Sequence, residues 1–163
     1  MKKVLVVMGS DSDLKVMEKC VDRLKSFDIP VEVRICSAHR TPAVAEQLAK
    51  KAAAEGFGVI IAAAGKAAHL GGVLAAYTTL PVIGVPMATS VMGGMDSLLS
   101  IVQMPKGIPV ATVAIDGADN AAILAAQMIA LSDDALAQKL AQFKADMAAE
   151  VTAKDEKVRA QFA

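Results

Sequence analysis

Apolar residues follow two rhythms along this chain. Largely apolar runs at Val4–Met8, Gly58–Ala63, Pro81–Val85 and Ile108–Ile115, together with the segment Val31–Ile35 in which apolar and charged residues alternate, are interleaved with stretches in which apolar positions recur every three or four residues. The first kind predicts strands, covered on both faces where the run is unbroken as at Val4–Met8, and the second kind predicts amphipathic helices. Met17, Cys20, Val21 and Leu24 mark the first helix. Val44, Leu48 and Ala52 mark the second, with Pro42 at its start. A short helix is expected within Ala67–Tyr77, another over Asp96–Gln103, and an alanine-rich one over Ala121–Leu131. Leu136, Leu140, Phe143, Met147 and Val151 predict a long C-terminal helix over about 133–160. Repeated β-α units imply a parallel sheet with helices on both faces and right-handed crossovers. The expected fold is therefore α/β, a single three-layer, doubly wound domain spanning 1–163. No linker, low-complexity segment or solenoid repeat interrupts it. The last helix has no strand left to cover, and two placements stand for it, on its own domain or on a neighbouring subunit.

Composition changes this picture in one respect. The 163 residues are 55% hydrophobic, and the mean hydropathy of +0.47 is high for a small soluble protein. No apolar run reaches the roughly 18–20 residues of a membrane span. Val4–Met8 runs straight into Gly-Ser-Asp-Ser-Asp, unlike the core of a signal peptide. The excess is mostly alanine and methionine, more than one small domain easily buries, and points to a homo-oligomer. The formal net charge is zero, from 17 basic and 17 acidic residues. That argues against nucleic acid as a partner but leaves room for a small anionic ligand. Cys20 and Cys36 lie in no metal-binding or redox pattern and are expected as buried, reduced thiols of a cytoplasmic protein. Two histidines without clustered cysteines argue against a zinc site, so no metal is expected. With no Trp and only Tyr77, the chain offers no aromatic stack for a flavin.

In a doubly wound sheet, ligands bind beyond the carboxyl ends of the strands. Four segments there carry chemistry. "MGSDSDL" places Ser10, Ser12 and Asp13 at a helix start, where unpaired N–H groups suit a phosphate. The ordinary alternative is a capping turn. Two aspartates there would repel a phosphate, so at least one is expected to face sugar hydroxyls, or else the pair forms an acidic Mg²⁺ pocket. "SAHRTP" sets Ser37, His39 and Arg40 beside that site. Arg40 can fork onto a phosphate, and His39 is of the residue type that titrates near neutrality. "AAAGKAAHLGG" holds Gly65, Lys66, His69 and Leu70. From spacing alone a structural role for His69 weighs more than a catalytic one. "VPMATSVMGGMDS" is either a lid or a plain connection.

Taken together, "MGSDSDL", "SAHRTP", "AAHLGG", "VPMATS" and "GGMDSLLSIVQMPKGIPVATVAI" resemble the bacterial-type N5-carboxyaminoimidazole ribonucleotide mutases. These are the catalytic subunits of phosphoribosylaminoimidazole carboxylase in purine biosynthesis. The resemblance runs from Lys3 to about Leu131. It implies a flavodoxin-like fold, an octamer with sites between subunits, no cofactor, and movement of a carboxylate from the exocyclic nitrogen of an aminoimidazole ribonucleotide to C4. It also leaves room for transient contact with the carboxylating synthetase of the preceding step. By the family's motifs, His39 is implied as general acid and base. Ser12 and Arg40 are implied to hold the phosphate, supported by Ser37, and Asp13 the ribose hydroxyls. Ser10, Gly65, His69 and Leu70 are implied to border the imidazole and the carboxylate. Where the family usually reads Gly-Gly-Ala-Ala-His-Leu-Pro-Gly, this chain has Lys66 for the second glycine and Gly71 for proline. Lys66 then either faces solvent or adds positive charge beside the carboxylate, and Gly71 loosens the turn. Two other readings are a direct CO2-dependent carboxylase of the same fold and a flavodoxin-like nucleotide-binding module. Because His39 and Arg40 are adjacent yet implied at opposite ends of one ligand, their side chains must splay apart.

Overall fold

The computed structural model describes all 163 residues. The strands are β1 (Lys3–Met8), β2 (Val31–Ile35), β3 (Phe57–Ala64), β4 (Val82–Pro86) and β5 (Ala111–Thr112). The helices are α1 (Leu14–Ser26), α2 (Pro42–Ala52), α3 (Leu70–Tyr77), α4 (Met95–Val102), α5 (Ala118–Ala130) and α6 (Asp134–Phe162). A 3₁₀ turn, Asp11–Asp13, precedes α1. All strands pair in parallel, in the order β2-β1-β3-β4-β5. The chain leaves β1 toward one edge and returns to the other side, so the topological switch point lies between β1 and β3.

The unbroken apolar runs follow from this layering. Alternate residues of one strand point to opposite faces, and both faces are covered. Val4, Val6 and Met8 of β1 pack with Met17, Cys20 and Leu24 of α1, the α5 alanines and Leu136. Leu5 and Val7 pack with Ala45 and Ala49 of α2, Leu70 and Leu74 of α3 and Ile101 of α4. Gly84 in β4 is what admits α4, because a Cβ there would collide with the Ile101 side chain. Cys20 and Cys36 are both free and buried, as expected. Burial, with Asp119 adding, pushes the Cys20 thiol up to about 12.

Two elements differ from expectation. The fifth strand is two residues long rather than the eight of Ile108–Ile115. Pro109 has no N–H to give the ladder, and the chain makes a left-handed turn at Gly107 (φ 96°) just before it. Pairing starts only at Ala111, opposite Ile83. The long final helix is present, with Asp133 capping it by accepting from the Leu136 N–H at 3.0 Å. Its apolar stripe is used only in part. Leu136 is buried, while Leu140 and Phe143 lean on the core. Phe143 meets Phe27 edge-on, with centroids 5.5 Å apart, and the Arg23 guanidinium lies over its ring. Lys139 pairs with Asp28 at 2.6 Å. From Lys144 onward every residue is exposed, Met147 and Val151 included. At 29 residues the helix is about 43 Å long and outruns the layer it covers.

Candidate functional site

The segments following β1, β2, β3 and β4 converge on one cleft of about 620 Å³. The ladder continues past the strand ends and sets these loops against one another. Cys36 N–H donates to Met8 O at 2.8 Å, Gly9 N–H to Ala63 O at 3.0 Å, and Met87 N–H to Ala64 O at 3.0 Å.

From the first loop come Ser10, Ser12 and Asp13. Ser10 caps the 3₁₀ turn, its Oγ accepting from the Ser12 N–H at 3.3 Å and donating to Asp11 at 3.2 Å. The capping alternative is thus realised, and the same residues also face the cleft. Ser12 Oγ donates to Asp13 Oδ1 at 3.3 Å. Burial holds the Asp13 carboxyl above the usual aspartate range. Ser12 and the Ser10 backbone oppose this, while the charges of Asp116 and Asp11 add to it.

From the second loop come Ser37, His39 and Arg40. Thr41 locks this turn, its hydroxyl donating to Ser37 O at 2.9 Å and accepting from Ser37 N–H at 3.0 Å. Arg40 reaches toward the first loop, with Nη2 donating to Gly9 O at 3.4 Å and Nε to Ser37 Oγ at 3.4 Å. His39 goes the other way, its Nε2 lying 2.8 Å from His69 Nδ1. The splay that adjacency demanded is present.

From the third loop come Gly65, Lys66, His69 and Leu70. The short helix expected within Ala67–Tyr77 runs from Leu70 to Tyr77, leaving residues 65–69 as irregular backbone that can approach a ligand. His69 stands at the start of α3 but caps nothing. Its side-chain partner is His39, a contact that spacing alone does not reveal. All nine residues singled out in the sequence therefore line one cleft.

The fourth loop adds Met87, Ala88, Thr89 and Ser90. It is tied down, since Thr89 donates to Asp96 at 2.8 Å and accepts from the Gly94 N–H at 3.2 Å, and Ala88 N–H donates to Asp116 at 2.9 Å. Ser97 and Asp116 were missed as supports of the site. Ser97 is fully buried, and its Oγ accepts from the Lys66 N–H at 2.9 Å. No sequence signal marks a contact of 31 residues' separation, although a serine within the apolar α4 was a hint.

Fold and cleft together define a class: a flavodoxin-like three-layer protein with a cation-bearing, histidine-containing ligand cleft at the switch point of its sheet. The comparisons narrow it. A model of the AIR carboxylase family matches residues 3–150, and the chain belongs to that family. An N5-carboxyaminoimidazole ribonucleotide mutase of Methanocaldococcus jannaschii is 52% identical over 159 residues, covering 98% of this chain and 99% of that one. A chloroplastic phosphoribosylaminoimidazole carboxylase of Vigna aconitifolia is 51% identical over 140 residues, 86% of this chain and 25% of that longer protein. Among solved structures, Treponema denticola PurE superposes with a TM-score of 0.87 at 30% identity, covering 94% of this chain and 96% of that one.

Proposed function

We propose that this protein converts N5-carboxyaminoimidazole ribonucleotide to 4-carboxy-5-aminoimidazole ribonucleotide in purine (IMP) biosynthesis, as a cofactor-independent mutase. The observation carrying this reading is the opposed placement of two neighbours in sequence, Arg40 against Gly9 and Ser37, and His39 against His69. A ligand with phosphate at one end and a reacting ring at the other spans such a cleft. Likeness to mutases over nearly the whole chain supports the same substrate.

In this reading Arg40 and Ser12 take the phosphate, with Ser37 behind Arg40. Asp13 accepts from the ribose hydroxyls, which offsets the cost of burying its carboxylate. Ser10, Gly65 and Leu70 border the ring. His39 first delivers a proton to the exocyclic nitrogen as its bond to the carboxylate breaks, releasing CO2 and leaving an electron-rich aminoimidazole. C4 then attacks the trapped CO2. The proton on C4 returns to His39, restoring aromaticity, so the reaction is a net isomerisation. One imidazole that donates and then accepts serves both steps. Holding CO2 against C4 is a proximity effect, and the cleft limits its escape.

The carboxylase reading has the plant relative in its favour. The deciding assay follows formation of the 4-carboxylated product, supplying either the N5-carboxylated nucleotide or aminoimidazole ribonucleotide with bicarbonate. Turnover of the first alone is expected. Efficient turnover of the second alone replaces the mutase by a direct carboxylase. Turnover of neither overturns both.

The apolar surface left by α6 and by Met95, Leu99 and Val102 of α4 supports assembly into a homo-oligomer, which we read as the octamer of the family, acting in the cytoplasm. No helix is long and apolar enough to cross a membrane.

A further inference from the structure

Lys66 holds a backbone conformation that its side chain disfavours. Its φ is +58°, in the left-handed region that glycine occupies freely and L-residues resist. The strain is locked in from both sides. The Lys66 N–H donates to the buried Ser97 hydroxyl at 2.9 Å, and its carbonyl accepts from Ser100 Oγ at 3.3 Å and from the Ala68 N–H at 2.9 Å. A non-glycine residue kept in such a position, on a ligand cleft, is a pointer to function.

Three further observations give that function a direction. Lys66 lines the cleft and takes part in none of the molecule's five ion pairs. The cleft's charged lining is Arg40, Lys66 and Asp13, two cations against one acid, which suits a ligand carrying two anionic groups. The cations stand on loops of strands separated by β1 alone. Two strand spacings are about 9.5 Å, comparable to the reach from phosphate to base-borne carboxylate across a monocyclic ribonucleotide. Lys66 also shares its loop with His69, half of the pair at the reacting end.

We infer that Lys66 is the carboxylate-binding cation of this cleft, complementing Arg40 at the phosphate end. The inference rests on the proposed substrate. A lysine ammonium donates charge-assisted hydrogen bonds to a carboxylate in the ground state of substrate and of product. It loses that partner while the migrating group is neutral CO2. Removing the charge therefore raises KM without lowering kcat.

Calorimetric binding of two nucleotides sharing one phosphate tests this. They are 4-carboxy-5-aminoimidazole ribonucleotide and 5-aminoimidazole ribonucleotide, which lacks the carboxylate. Lys66→Gln, with the same backbone requirement, is expected to weaken binding of the first about tenfold and of the second less than about twofold. Lys66→Arg is expected to restore the preference. Equal loss for both nucleotides, or none for either, overturns the assignment. If the unaltered protein binds neither, the proposed substrate itself fails, a distinct outcome that removes this inference with it.

Discussion

His39 and His69, thirty residues apart, meet with Nε2 and Nδ1 at 2.8 Å and their rings nearly perpendicular at 81°. A bond between two imidazole nitrogens needs one donor and one acceptor. The tautomers of His39 and His69 are thereby coupled, and in the proposed mechanism the pair acts as a unit. We expect His39→Asn to fold and bind nucleotide yet lose ~10²–10⁴ in kcat. The double variant His39→Asn/His69→Asn should be about as slow as the single one, because groups acting together are not additive. Steady-state kinetics beside nucleotide titrations check this. Near-normal turnover by His39→Asn would remove it from the mechanism.

Arg40→Ala should weaken nucleotide binding about 10- to 100-fold through lost charge-assisted contacts, with kcat changed far less. Competition by inorganic phosphate should weaken in parallel. Unchanged affinity would put the phosphate elsewhere.

In the proposed reading, Asp13 couples nucleotide binding to stability. Its carboxyl is raised in the fold, chiefly by burial. A raised group favours the fold fully below its unfolded pKa, and that contribution fades as pH climbs through the folded pKa. At neutral pH the charged carboxylate therefore counts against the empty protein. Asp13→Asn should stabilise the apo protein at pH 7 by less than ~1 kcal/mol, with the gain vanishing in acid. Nucleotide affinity should fall in the same variant. Thermal unfolding from pH 3 to 8 reads the first effect and calorimetry the second.

Two glycines should respond oppositely to alanine. At Gly71 a methyl would sit in ordinary contact with Ala62 and Val110, and φ is not positive. Gly71→Ala is expected to add ~0.4–1 kcal/mol by restricting the unfolded chain. At Gly84 the methyl would strike Ile101, costing ~1–3 kcal/mol as α4 is pushed off the sheet. Urea denaturation of both measures this.

Cys20, pushed up to about 12, is expected to resist alkylation in the native state. Its thiolate fraction at pH 8 is on the order of 10⁻⁴, and the sulfur is fully buried. Labelling should track global unfolding, and rapid labelling in native buffer would contradict the packing of α1.

What the sequence disclosed depended on range. Strand β2, at the sheet edge with Val33, Arg34 and Ile35 exposed, shows only an alternation of apolar and charged residues, whereas β1, β3 and β4 are legible because burial on both faces demands unbroken apolar runs. The fifth run reads the same way, yet Pro109 and Gly107 confine pairing at the sheet edge to Ala111–Thr112. The four loaded loops were legible because a parallel sheet carries every strand's C-terminal end to one side. The His39–His69 bond was not, since local spacing says nothing of which loop a side chain crosses to. Ser97 and Asp116 stayed hidden for the same reason, being partners of backbone groups in distant loops. The apolar stripe on α6 was legible, but whether its second half has anything to rest on depends on where the domain ends.

Phe143 is the last point at which α6 is anchored to its own chain. Beyond it, about five turns of helix depend on intrinsic propensity, which is marginal for an unsupported segment of this length. Order in that tail then becomes a matter of mass action. Amide exchange there should be fast in dilute protein and slow as copies meet, making the tail a readout of concentration while the sheet remains indifferent to it.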